Sequence, residues 1–345
     1  MSLRQQTLTK IAQKWDMATI TRWGVFALVV AGALVAPLTI FKAPFHQHIL
    51  IMVLTYGAMA TAWNIIGGLG GQPAFGHTVF YGVGAYITGL LFVNWQITPW
   101  IGMIAGGIVA VLVSIVIGLP TFRLRGHYFA IATMGTGQIL LQVALSAKTI
   151  TGGPLGLPIK VLPQGLYVFQ FHGTKLPYYY IILGLFGLTF LVQYLVQQSR
   201  LGYYLRALKE SHEAAQSLGI NTTYQKLLAL GISAFLTALI GGFTCQYLLF
   251  VDPVHVFAMS VSAKIMLCTI LGGVGSIYGP ILGAVLLLTL SEGTRAWLGG
   301  QGRGVDLFIY GSLILAVVVL EPFGIVGIYR KLRSRLVRRS KSETA

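Results

Sequence analysis

Ten stretches of mostly apolar residues recur along the chain, bounded by charges, prolines or polar clusters. They run approximately over 23–41, 48–66, 76–94, 99–120, 127–146, 178–198, 227–250, 259–275, 279–298 and 306–325. A hydrocarbon core about 30 Å thick is crossed by about 20 such residues in a helix. The pattern therefore predicts an all-α, polytopic transmembrane bundle of about ten spans. The third, eighth and ninth stretches are rich in Gly, and the count falls toward eight if such Gly-broken segments re-enter rather than cross. The domain reading follows: an N-terminal segment 1–22, a membrane domain 23–328 with a polar loop at 199–226 and another at 147–177, and a basic tail 329–345.

Composition excludes a soluble protein. Hydrophobic residues make up 55% of the chain and charged residues 9%, against about 25% charged in soluble domains. The net charge of +16 would suggest nucleic acid in a soluble chain, but here it sorts by side. With the N-terminus inside, seventeen of the 24 Lys and Arg fall on the inner face, in the N-terminal segment, in the 123–125 turn, in loop 199–226 and from Arg330 to Lys341. Inner loops carry that excess, so both termini are expected in the cytoplasm, with 147–177 outside. The tail is a topology anchor that can also attract anionic lipid. The basic N-terminus followed by an apolar run resembles a secretory signal. Its run is too long, however, and Pro37 follows the small residues Val35 and Ala36, so it is expected to be an uncleaved first span. Cys245 and Cys268 lie in apolar runs and are expected to be small core residues.

Gly accounts for 43 residues, which lets helices in lipid approach closely. Two clusters are alike, Ile66-Gly-Gly-Leu-Gly70 and Leu271-Gly-Gly-Val-Gly275; they fit either an internal repeat or coincidence in a Gly-rich chain. Catalytic machinery is missing. No Gly-Lys dipeptide offers a phosphate loop, His212-Glu213 lacks the second histidine of a zinc-protease motif, and no GxSxG turn occurs. Neither a metal site nor a cofactor on this chain is expected. Acidic residues within spans are few. Glu321 fits a helix end before Pro322, and Glu292 fits a pair with Arg295. Lys264 fits either a snorkelling cation or a counter-charge for an acidic ligand.

Loop 199–226 is the most informative stretch. Leu201, Leu205, Leu208, His212, Ala215 and Gly219 recur at steps of four and three, which predicts one amphipathic helix over 203–219 closed by Gly219 in a left-handed cap. Such a helix can lie on lipid, or dock its apolar side, with Glu213 beside it, into a partner's groove.

Here specific motifs enter. Glu213-Ala214-Ala215, three residues, then Gly219 resembles the EAA-x3-G loop of ABC importer permeases. Asn64-Ile-Ile-Gly-Gly, Phe75-Gly-His77, Gly82-Val-Gly84-Ala-Tyr86, Arg123-Leu-Arg-Gly126-His-Tyr-Phe, Thr151-Gly-Gly-Pro-Leu-Gly156, Ser199-Arg-Leu-Gly202 and Leu271-Gly-Gly-Val-Gly-Ser276-Ile-Tyr-Gly-Pro280 resemble the branched-chain amino acid permeases of that class, the LivM-like subunit in particular. The likeness covers about 48–327. Two positions depart from the pattern: Lys264 stands where an apolar residue is common, and Asp252 where Ser is expected before Pro253.

The resemblance implies a permease subunit in a bacterial inner membrane. Its partners would be a second, LivH-like permease, two cytosolic ABC ATPases carrying ATP and Mg, and an extracytoplasmic substrate-binding protein; nucleic acid is not among them. Glu213, Ala214, Ala215, Gly219, Leu205 and Leu208 would couple to the ATPases. Asn64, Gln72, His77, Thr78 and Lys264 are candidates to line the substrate path, His77 serving equally well as a hydrogen-bonded packing residue. The implied substrates are branched-chain or other neutral amino acids. Urea, short amides or a polar amino acid are the alternatives, and a self-contained ion-coupled carrier is the alternative of a different class.

Overall fold

In a computed structural model, the described residues are 43–124 and 126–297, with side chains as far as 293, together with positions 32, 34, 35, 37, 311, 312, 324, 325 and 327. The expected first and tenth spans, both terminal segments, Arg125, the Arg295 side chain and Glu321 lie outside these residues, apart from the single positions named.

Long apolar helices make up the molecule. They are α1 (Pro44–Asn64), prolonged by a π-helical turn Ile65–Leu69, α2 (His77–Trp95), α3 (Pro99–Thr121), α4 (His127–Ser146), α5 (Leu176–Gln198), α6 (Arg200–Glu210), α7 (His212–Ser217), α8 (Thr222–Leu248), α9 (Met259–Gly272) and α10 (Gly279–Trp297). Seven helical segments among the described residues are long and apolar enough to cross a membrane; Gly279–Gly293 of α10 is apolar but shorter. The expected spans from the second to the ninth each coincide with one of these elements, and α8 begins at Thr222 because Asn221 caps it, accepting from Tyr224 N at 3.1 Å.

The buried helix α8 is the hub on which α2 and α3 pack. Small residues make that possible. A methyl group on Gly84 would overlap the Ala238 backbone, and one on Gly241 would overlap Tyr81 O, so α2 and α8 meet backbone to backbone. In lipid such contact replaces a hydrophobic drive that is absent between helices. Cys245 and Cys268 are free and buried.

The molecule has two ends. One carries α6 and α7, together with the end of α1 and the α9–α10 turn. At the other, β1 (Leu157–Pro158) pairs antiparallel with β2 (Phe250–Val251). Residues 160–171 are ordered there by Gln170, fully buried, whose amide accepts from Leu162 N and donates to Lys160 O, both at 2.8 Å. Phe169 plugs the space beneath, against Trp100, Tyr178 and Phe243.

Candidate functional site

Two helices begin inside the bundle rather than at its ends. His77, the first residue of α2, places Nε2 2.7 Å from Ser233 Oγ, and Ser233 donates its only hydroxyl proton to Ala62 O at 2.7 Å, so His77 is the donor to Ser233. Ser233 is eleven residues into α8, which sets the start of α2 about 16 Å from the α6–α7 end at 1.5 Å per residue. The start of α9 meets it there. Thr78 N donates to Ser262 Oγ at 2.9 Å, and Thr78 Oγ1 donates to Val256 O at 2.8 Å and Ala258 O at 3.1 Å. The Gly-rich third and eighth stretches thus form continuous helices, His77–Trp95 and Met259–Gly272, each entered from irregular backbone held inside protein.

The segment that turns back from α1 to α2 satisfies its backbone locally, as a buried non-helical stretch must. Gln72 N donates to Ile66 O, Ala74 N to Gln72 O, Trp63 Nε1 to Ala74 O at 2.7 Å, and Phe75 N to Thr133 Oγ1 at 3.1 Å. At the opposite side the short turn Pro253–Val256 is capped by Asp252, which accepts from Val254 N at 2.9 Å and lies 2.6 Å from His255 Nδ1. The carboxylate at this unusual position therefore serves as a helix cap.

The two glycine clusters touch. Asn64 spends both ends of its amide on the second one, Oδ1 accepting from Gly275 N and Nδ2 donating to Ser276 O, each at 2.8 Å. Gln193 Nε2 of α5 adds a second donor to Ser276 O at 3.3 Å. Gly68 and Gly275 pack so closely that a methyl on Gly68 would lie 2.8 Å from Gly275 N.

Of the expected path residues, Asn64, His77 and Thr78 are buried and committed to these bonds. Asn64 and Thr78 tie the glycine clusters and helix starts together through these bonds, and His77 takes the hydrogen-bonded packing role that the sequence equally offered it. Gln72 and Lys264 keep partial exposure. Lys264 lies five residues into α9, and its Nζ is 5.7 Å from the Tyr56 ring centre, within cation–π range.

Sequence periodicity missed a different surface. Helix α4 buries the smallest share of its length among the spans, and Gln138 and Gln142 are exposed on it beside Gly135, whose side-chain direction is open. Polar groups do not face hydrocarbon without cost. The spacing of Gly135, Gln138 and Gln142 by three and four in an otherwise apolar run is the signal that could have revealed this face. A separate cavity of about 730 Å³ opens at the β1–β2 end, between His48, Phe171, Lys175, Tyr178 and Tyr247, with His48 Nδ1 2.6 Å from Tyr247 Oη.

The expected single helix over 203–219 is two helices. Ser211 breaks it in extended backbone and caps α7, accepting from Ala214 N at 3.2 Å. Glu213 sits in the first turn, where its charge favours the helix dipole, and Gly219 ends α7 with φ +81°. The apolar side also faces the other way from the docking expectation. Leu201, Leu205, Leu208 and Ala215 are buried in a core with Ile66, Leu69 and Leu230 of the same chain, so they brace the pair from within and enter no partner's groove. Outward lie Glu213, Ala214, Gln216, Ser217 and Gly219, with Leu218 80% exposed. Arg206 fixes the pair to α5 by donating to Gln197 O at 2.6 Å.

Comparison with known proteins adds to this geometry. A family model described as branched-chain amino acid transport system, permease component, matches residues 46–318. The high-affinity branched-chain amino acid transport system permease protein LivM of Salmonella typhimurium is 30% identical over 310 residues, covering 83% of this chain and 72% of its own length. BraD of Pseudomonas aeruginosa, a permease protein of the same kind of system, is 29% identical, covering 79% of this chain and 92% of its own. LivH of Escherichia coli is 25% identical over 79% of this chain and 91% of its own length. No solved structure matches the chain.

Proposed function

The chain belongs to the permease-component family of branched-chain amino acid transport systems, and from that premise we propose that it is one permease subunit of an ATP-driven importer of leucine, isoleucine and valine. The single observation that carries the mechanism is the pair of helices that begin inside the bundle. Helices that start at mid-depth bring their positive dipole ends into the bundle interior, which suits the carboxylate of a zwitterionic substrate without a fixed cation.

In this reading α6 and α7 lie in the cytoplasm and the β1–β2 end outside, in accord with the basic residues of loop 199–226. Two ATPase subunits bind the outward face of α7, through Glu213, Ala214, Ser217 and Leu218. Leu205 and Leu208 hold that face against the bundle. The polar face of α4, with Gln138 and Gln142, is covered by a second permease subunit across the path. Substrate arrives on an extracytoplasmic binding protein, and ATP on the partner subunits drives a two-state change that this chain converts into alternating access. The membrane is the bacterial inner membrane.

The experiment is to co-purify the chain with its ATPases, second permease and binding protein, and then to run a ligand panel on that binding protein. Leucine, isoleucine and valine are expected to bind and to stimulate ATP hydrolysis. A panel in which only urea, short amides or charged amino acids bind would refute the substrate assignment.

A further inference from the structure

The π-helical turn leaves one carbonyl without a partner of its own. Gly68 O would look for an N–H four or five residues on. Gln72 N is given to Ile66 O instead, and residue 73 is Pro, which has no N–H. The orphan is satisfied from outside the helix, by Lys209 Nζ at 3.0 Å. Lys209 is the next-to-last residue of α6, two before the break at Ser211. Gly71, at φ +64°, leaves room for its stem; a methyl there would lie 2.8 Å from Lys209 Cγ. Behind Gly68 the chain of bonds continues, through Asn64 to the backbone of Gly275 and Ser276, and so to the turn between α9 and α10.

We propose that Lys209 is a positioning residue that relays movement of the α6–α7 pair to the paired glycine clusters, acting as a latch made in one state of the transport cycle and released in another. Three features fit a latch better than a fixed anchor. The side chain is exposed, so release returns the ammonium to water with little penalty. Its acceptor is a helix-end carbonyl. The break at Ser211 separates α6, which carries Lys209, from α7, which carries the outward face. Each element that begins inside the bundle is one short segment away: 70–76 leads from Gly68 to α2, and α9 leads back from Gly273 to its start beside Thr78.

This inference rests on the importer reading, and the test separates the two. The complete transporter, in vesicles with its binding protein, is compared with Lys209→Met, which keeps the stem and loses the donor, and Lys209→Arg, which keeps a donor. The expected result is normal assembly of Lys209→Met, basal ATP hydrolysis within about twofold of wild type, loss of its stimulation by substrate-loaded binding protein, and at least a tenfold fall in uptake, with Lys209→Arg recovering most of the uptake. Uptake by Lys209→Met within twofold of wild type would overturn the proposal. So would equal failure of both variants, or failure of Lys209→Met to assemble, since either outcome makes the residue a structural anchor. A wild-type complex without ATP-dependent uptake would defeat the importer reading itself.

Discussion

Asn64→Ala removes the clamp between the glycine clusters, and its cost can be worked from the bonds. Two hydrogen bonds of 2.8 Å are lost, to Gly275 N and Ser276 O. Ser276 O retains Gln193 Nε2 at 3.3 Å, so the main orphan is the Gly275 N–H. A buried group left unpaired costs about 1–3 kcal/mol, but Gly275 is only partly buried, and side-chain hydrogen bonds within membrane bundles average about 0.6 kcal/mol because the unfolded chain also finds partners. The expected loss is about 1 kcal/mol, at the low end of the buried-group range. At the roughly 2–4 °C per kcal/mol observed for domains of 150–250 residues, the melting temperature should fall by about 2–4 °C. Cys245 and Cys268 are buried thiols in the folded chain, so a thiol-reactive fluorogenic dye in detergent reads unfolding directly. Asn64→Asp is the companion variant: Oδ1 still accepts from Gly275 N, but an oxygen now faces Ser276 O and a charge is buried, so it should melt at least as low as the alanine variant. A melting temperature for Asn64→Ala within 1 °C of wild type would refute the reasoning that this side chain joins the two clusters.

Other predictions concern the same frame. Glu213→Lys and Leu218→Glu, on the outward face of α7, should leave the chain folded and in the membrane but release the ATPases on co-purification, whereas Leu205→Ala should lower stability by about 2–5 kcal/mol as a core truncation; the opposite pattern, seen in melting and pull-down, would reverse the assignment of the two faces. Gly84→Leu should prevent the α2–α8 contact and abolish accumulation of folded protein, read by size-exclusion profile, while Gly135→Leu on the open face of α4 should fold and instead weaken association with the second permease. Cysteines placed at Ser217 and Leu155 should label from opposite sides of the membrane, Ser217→Cys only after the cytoplasmic face is opened; labelling of Ser217→Cys in intact cells would invert the topology.

Much of the architecture was legible because it is written in runs of apolar residues, and eight of the expected spans correspond to helices that exist. The α7 motif, Glu213-Ala-Ala with Gly219, was legible through its resemblance to the EAA loop, and Gly219 also through the left-handed close that favours glycine. Three matters were not. Periodicity tells which side of α6 is apolar but not what covers it, so Leu205 and Leu208 pointed to a partner when their own bundle buries them. Depth is invisible in composition, since a helix that starts at mid-bundle is as apolar as one that starts at a surface; hence Thr78 read only as a lining candidate, and His77 stayed divided between lining and the packing bond that it makes to Ser233. Asn64 answers a backbone more than 200 residues away, and only the matching glycine clusters hinted that the two regions meet. The break at Ser211 had a local signal, a capping serine two residues before Glu213, which the continuous apolar stripe masked.

The most direct measurement of the central claim is the energy source of uptake by vesicles holding the purified permease pair and ATPases, with binding protein and radiolabelled leucine at the outer face. Accumulation is expected only when ATP and Mg are present on the ATPase side, unaffected by collapse of proton and sodium gradients and absent when the ATPases are left out. Accumulation driven by an ion gradient without ATPases would contradict that claim.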